Sequence, residues 1–261
     1  MLKTRIITAV ISVLVLGAVL FLIPPSAAET VIAALILVGA WEWSGFLGLR
    51  HDMARSLYVA LIATFMGTMV FVLPDQAEIL LKIGCGWWFA AFIWTFYFPT
   101  RIPTAVRWIC GALVLVPLFV ALLLLYRLDN ELLVFALLIV WASDAGAYFA
   151  GTKFGRVKLA PHISPSKTWE GVIGGLTLVV LLAFAWASYS VMPLAVLLPF
   201  CLGVGVLSIV GDLTVSMFKR TAGVKDSGAL FPGHGGVLDR IDSIAAAAPL
   251  FALGLAWLGL A

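Results

Sequence analysis

The chain has 261 residues, 63% of them apolar and only 11% charged, about half the charged share of an ordinary soluble domain. That much apolar surface exceeds what a soluble core of this length can bury, and a net charge of +3 is too small to mark a nucleic-acid partner. The composition predicts an all-α, polytopic integral membrane protein.

Apolar runs of about 18 residues or more predict about nine transmembrane helices. They fall at 6–23, 30–48, 57–73, 79–98, 108–126, 131–151, 169–189, 194–213 and 242–260. Each can cross a hydrocarbon core of about 30 Å at 1.5 Å per residue, with its backbone polar groups satisfied internally. The third and fourth are the weakest, with Gly67 in one and Lys82, Gly84 and Gly86 in the other. The first reads as a retained helix, because its run is long for a secretory leader and Pro24-Pro25 follow it directly. Cys85, Cys110 and Cys201 all fall in predicted spans without metal-type spacing, so they read as small core residues.

Orientation follows from the basic residues. With a cytoplasmic N-terminus, the inside segments carry Lys3, Arg5, Arg50, Arg55, Arg101, Arg107, Lys153, Arg156, Lys158, Lys167, Lys219, Arg220, Lys225 and Arg240. The outside loops carry Arg127 alone, with Lys82 just inside the fourth span. This asymmetry is what the positive-inside rule requires, and it alternates across all nine spans.

The chain divides into residues 1–130, an N-terminal helical scaffold of about five spans with plain loops, and 131–261, a catalytic region with two longer cytoplasmic loops. In the first part only Glu42, in WEW near the inside end of span two, stands out. An intramembrane acid invites a functional role. At this depth it could equally snorkel or pair with Arg50 or Arg55.

The second part gathers its acids at one membrane face: Asp144 in SDAGAYFAG, Glu170 at the start of span seven, Asp212 in SIVGDL, then Asp239 and Asp242. If span eight continues past Leu213, then Asp212, Ser216 and Lys219 share one face at i, i+4 and i+7. That stripe offers a carboxylate, a hydroxyl and an ammonium, suited to holding a cation beside a phosphate. Asp239 and Asp242, at i and i+3, face the same way at the N-terminus of span nine, where the helix dipole favours ionised acids. Simple capping by Asp242 or Ser243 explains one of these residues, but not two aspartates with Arg240. Paired carboxylates with few histidines suit Mg2+ rather than zinc.

In PGHGG, Gly235 and Gly236 let backbone amides approach an anion, and His234 is either a phosphate donor or a turn residue. Lys219, Arg220, Lys225 and Arg240 add cationic donors, interleaved with acids that a topological signal does not need. SPSKTWEG lacks the glycines and preceding strand of a P-loop. It still places Ser164, Ser166, Lys167 and Glu170 at the start of span seven, where a helix end favours an anion.

SMFKRTAGVKDSGALFPGHGGVLDRID, Ser216 to Asp242, resembles the signature of the phosphatidate cytidylyltransferase (CDP-diacylglycerol synthase) family, and SDAGAYFAG and SPSKTWEG resemble two further blocks of that family. The resemblance implies transfer of CMP from CTP to phosphatidate in the membrane leaflet, giving CDP-diacylglycerol and pyrophosphate. It implies Asp212 and Asp239 as Mg2+ ligands, with Asp242 a third ligand or a residue behind them, and leaves a second metal ion open. Lys219, Arg220, Lys225, His234 and Arg240 would grip phosphates. Ser164, Ser166 and Lys167 would contact nucleotide or lipid phosphate, and Asp144 would shape the nucleotide pocket. A homodimer in the cell inner membrane, with its active site at the cytoplasmic face, is implied as well.

Two rivals fit less well. Enzymes that move a phosphoalcohol from a CDP-lipid carry DG-x2-AR followed by G-x3-D-x3-D. Here Gly235 leads to Asp239 and then to Asp242, three residues on rather than four, and the DG…AR part is missing. A transporter would hold its acids near the bilayer midplane.

Overall fold

The computed structural model describes residues 2–190, 192–230 and 235–258, with side chains described from Val10 onward. Among these residues there are nine α-helices: α1 Leu2–Phe21, α2 Pro25–Phe46, α3 Asp52–Gly67, α4 Ala77–Tyr97, α5 Thr104–Leu128, α6 Asn130–Phe154, α7 Trp169–Ala187, α8 Leu194–Thr221 and α9 Leu238–Trp257. A two-stranded antiparallel hairpin, β1 Lys158–Ala160 and β2 Ser164–Thr168, joins α6 to α7. Eight helices are long and apolar enough to cross a membrane, while α1 contributes the apolar stretch Val10–Phe21. The two spans weakest in sequence both form. A π-helical turn, Thr68–Val72, carries α3 past Gly67. Gly84 in α4 makes room for the ring of Pro117 in α5: a Cβ there would lie 2.9 Å from Pro117 Cβ.

Local chemistry sets several helix starts. Prolines stand at the N-cap of α5 (Pro103) and α8 (Pro193) and in the first turn of α2 (Pro25), where their missing N–H is not needed. Asp129 accepts from Glu131 N at 2.8 Å to cap α6, and Thr168 Oγ1 accepts from Gly171 N at 3.1 Å to cap α7.

The centre of the bundle is α5 and α9. Over their most apolar 18 residues they are 67% and 72% buried, against 17–39% for the other six spanning helices. The outward faces of those six carry exposed Leu57, Phe89, Ile173 and Leu181, as a lipid-facing surface should.

Small residues set the closest approaches, as expected where lipid and side chains are equally apolar. Between α6 and α7, Gly146 and Ala150 meet Gly174 and Gly175, and a Cβ on Gly175 would lie 2.6 Å from the Ser143 carbonyl oxygen. Between α8 and α9, Gly211 rests on the backbone carbonyls of Asp242 and Ser243, beside the fully buried run Ala245–Ala248.

The segment 164–168 differs from expectation. Ser164, Ser166 and Lys167 lie on strand β2, not at a helix start, and α7 begins only at Trp169. A strand is therefore present, but it pairs with β1 in a hairpin and carries the SPSKT residues itself, so the P-loop remains excluded. Spans eight and nine also extend further toward each other than their hydropathy indicated, to Thr221 and back to Leu238. Asp242 consequently lies inside α9 rather than capping it, and the N-cap position is Val237.

Because Gly175 packs directly on the Ser143 carbonyl, Gly175→Leu is expected to separate α6 from α7. Such overpacking costs about 1–3 kcal/mol, read as a lowered thermal midpoint of the purified protein in detergent.

Candidate active site

The C-terminal parts of α2, α6 and α8, the first turns of α9 and the hairpin converge at one end of the bundle. The Asp212–Ser216–Lys219 stripe forms as its spacing predicts: Ser216 Oγ donates to Asp212 Oδ1 at 3.2 Å, and α8 continues past Lys219. Asp212 Oδ2 is paired with Lys167 Nζ of β2 at 2.7 Å. Lys219, only 8% exposed, directs its ammonium into α9, 2.8 Å from Asp239 Oδ1 and 3.8 Å from Asp242 Oδ2. A charge buried this deeply requires partners, and α9 supplies two.

Asp239 is also a backbone acceptor. Its Oδ2 takes N–H groups from both Ser227 and Gly236, each at 2.9 Å, which closes the neck of the segment between those residues. Gly235 stands at φ 81°, a conformation glycine adopts without strain. Asp242, at 7% exposure, lies within electrostatic reach of Asp212, Lys219 and Lys167. Asp144 of α6 lies beside Ser243, within electrostatic reach of Asp212, Lys167 and Arg240. Four carboxylates thus meet three cationic side chains in one cluster.

A cavity of about 390 Å³ opens beside this cluster, lined by Asp144, Tyr148 and Thr152 of α6, Ser166 and Lys167 of β2, and Asp212 of α8. Asp144, Tyr148, Gly151 and Thr152 recur at i, i+4, i+7 and i+8, so helical periodicity could have found the last three as cavity lining.

Other expected residues sit further out. Lys225 is exposed on the segment after α8. Arg220 donates to the carbonyls of Ile163, at 3.1 Å, and Val224, at 3.3 Å, tying that segment to the hairpin. The Ser164 hydroxyl faces that of Ser166, with 3.5 Å between their oxygens. Glu170 accepts from the backbone of Arg156 and Val157 and braces the hairpin. His234 lies outside the described residues. Among the described residues, no three His, Cys, Asp or Glu side chains converge at metal-binding distance.

Glu42 found a partner that its own sequence neighbourhood did not offer. Arg55 bonds Ser44 Oγ and the Trp41 carbonyl, while Glu42 accepts from Ser227 Oγ, Val237 N and Leu238 N at the start of α9.

A family model described as the cytidylyltransferase family matches residues 3–258. The chain belongs to that family. Among its relatives, the phosphatidate cytidylyltransferase of Pseudomonas aeruginosa is 41% identical, covering 98% of this chain and 97% of its own length. Those of Haemophilus influenzae and Thermotoga maritima are each 36% identical, over 96% and 95% of this chain and 97% and 94% of theirs. The family match runs through the acid-bearing helices and also through α2, so Glu42 falls within it.

In this cytidylyltransferase Lys219 holds two α9 carboxylates at once. Lys219→Met leaves Asp239 and Asp242 buried without their cation, a change that costs about 3–5 kcal/mol. The expected outcome is loss of turnover together with a lower thermal midpoint, measured on the same detergent-purified sample.

Proposed function

We infer that the chain is a phosphatidate cytidylyltransferase, transferring CMP from CTP to phosphatidate to give CDP-diacylglycerol and pyrophosphate in phospholipid biosynthesis. The observation that carries this reading is a cavity that sets Lys167, Asp144 and Asp212 at one end of a membrane bundle, in a chain similar end to end to proteins of that name. A water-soluble nucleotide and a lipid phosphate can meet only at such a boundary.

The reaction makes a bond from a phosphatidate phosphate oxygen to the α-phosphorus of CTP and breaks the bond to the bridging oxygen, which leaves with pyrophosphate. A phosphomonoester has a second pKa of about 6, so the nucleophile is already largely ionised at neutral pH. No strong general base is needed. The residues of the chain position and neutralise instead. Lys167, Lys219 and Arg240 are suited to phosphate oxygens, and the N-termini of α7 and α9 add favourable dipoles. Ser166, Ser216, His234 and the amide of Gly235 are further candidates for phosphate contact, with Asp144 toward the nucleotide; Ser164, Arg220 and Lys225 stand at the rim, and the Gly236 amide is taken by Asp239.

The chemistry of the donors suits Mg2+, because each is a carboxylate oxygen. Asp212 and Asp242 stand within electrostatic reach of each other, and Asp239, held by Lys219 and two backbone amides, would join them by giving up Lys219. Mg2+ takes one or two carboxylates and completes its shell with water and substrate phosphates. Bound there, the ion would supply charge neutralisation at the triphosphate. We place the N-terminus and the active site at the cytoplasmic face of the inner membrane, on the distribution of Lys and Arg. We read the working unit as a homodimer, which crosslinking in native membranes would detect as a doubled mass.

With purified protein, labelled CTP, phosphatidate and Mg2+, label should enter the lipid phase and chelation should stop it. Asp212→Asn and Asp239→Asn should each remove turnover in a folded protein. No transfer by the unaltered chain would overturn the activity, and a rate indifferent to chelator would overturn the metal.

A further inference from the structure

We propose that Glu42 is a positioning residue that latches the catalytic segment from the N-terminal helices. The proposal rests on the functional reading above for its kinetic consequence, and on geometry alone for the latch. Glu42 is 6% exposed, and its two oxygens take three donors from the other half of the chain. Oε1 accepts from Val237 N at 3.0 Å, while Oε2 accepts from Leu238 N at 2.7 Å and from Ser227 Oγ at 2.9 Å. Two of these are amides at the start of α9, which need acceptors and carry the positive end of the helix dipole. An acid near the C-terminus of its own helix is unfavourably placed, and here it is stabilised by the N-terminus of another.

The contacts of Glu42 interleave with those of Asp239. Ser227 gives its hydroxyl to Glu42 and its N–H to Asp239. Gly236 gives its N–H to Asp239, and the next two amides go to Glu42. Two carboxylates therefore clamp one neck, and the second is the one that Lys219 holds in the site. The surroundings are built to this fit. A Cβ on Gly228 would lie 2.9 Å from Glu42 Cδ, and one on Gly236 would lie 2.5 Å from it. On its other side, the end of α2 is fixed by Arg55, which bonds Ser44 Oγ at 2.8 Å and the Trp41 carbonyl at 2.9 Å, and by Arg107 on the Phe46 carbonyl. The latch thus hangs from a rigid point, and displacing it frees Asp239 to rotate away from Lys219.

The test combines hydrogen exchange of the full-length protein in detergent with CMP transfer from labelled CTP, expressed per folded molecule. In Glu42→Ala, peptides covering Val237 and Leu238 should lose protection, and kcat should fall roughly 10-fold or more, the scale of losing hydrogen bonds to a charged acceptor. Ser227→Ala alone should have a smaller effect, and none when added to Glu42→Ala. Glu42→Gln keeps the shape and one acceptor but sets an NH2 against a donor; it should be intermediate, and it carries the same readouts if the alanine variant fails to fold. A merely structural Glu42 would lower the thermal midpoint while kcat per folded molecule stayed within about twofold of the unaltered chain, and that result would overturn the proposal. Unchanged exchange at Val237 and Leu238 would overturn it as well. If the unaltered chain transfers no CMP, the functional reading fails, and exchange alone still decides the latch.

Discussion

The site depends on how closely α8 and α9 approach at Gly211. No side chain separates the two backbones there: Gly211 lies against the carbonyls of Asp242 and Ser243, and Ala246 packs alongside. One residue further along α8 stands Asp212. A larger residue at 211 would hold the helices apart and carry Asp212 away from Asp242. The alanine run of α9 serves the same approach, since it lets the most buried helix of the bundle accept neighbours on every side.

That approach sets two helix ends of opposite polarity beside each other. The last turn of α8 carries Lys219 and Arg220 at its negative end, and the first turn of α9 carries Asp239 at its positive end. Each charge is favoured by its own helix before it meets its partner. Lys219 then joins the two ends, and the hairpin brings Lys167 to Asp212 from a third direction. Three separate elements so contribute to one cluster at one end of the bundle.

Much of this was legible in the sequence, for identifiable reasons. Membrane helices announce themselves by length and hydropathy, and the i, i+4, i+7 relation of Asp212, Ser216 and Lys219 needs only a continuing helix. The residues that escaped depend on long-range partners. Nothing near Glu42 points to Ser227, 185 positions away. Strand β2 escaped because four polar residues and a proline before an apolar run look like a helix start, and the pairing that makes them a strand comes from β1. In sequence, Gly235 and Gly236 of PGHGG offer room for an anion. Gly228 and Gly236 also have a nearer task, giving room to the Glu42 carboxylate. Spacing reports which residues share a face, but not what stands opposite that face.

The ionic cluster is hard to explain as a stability device. Desolvating buried ion pairs often costs as much as their attraction returns, and well-packed apolar substitutes are frequently as stable or more so. Lys219 with Asp239 and Asp242 is such an arrangement, held in a bundle whose core is built mainly from apolar and small residues. A selection for stability alone would have filled that space with leucine. Keeping a lysine and two aspartates there, with a glutamate borrowed from α2 to fix the segment beside them, is reasonable where the charges themselves are needed. A reaction between two phosphates, each anionic and each arriving from a different phase, is one that needs them.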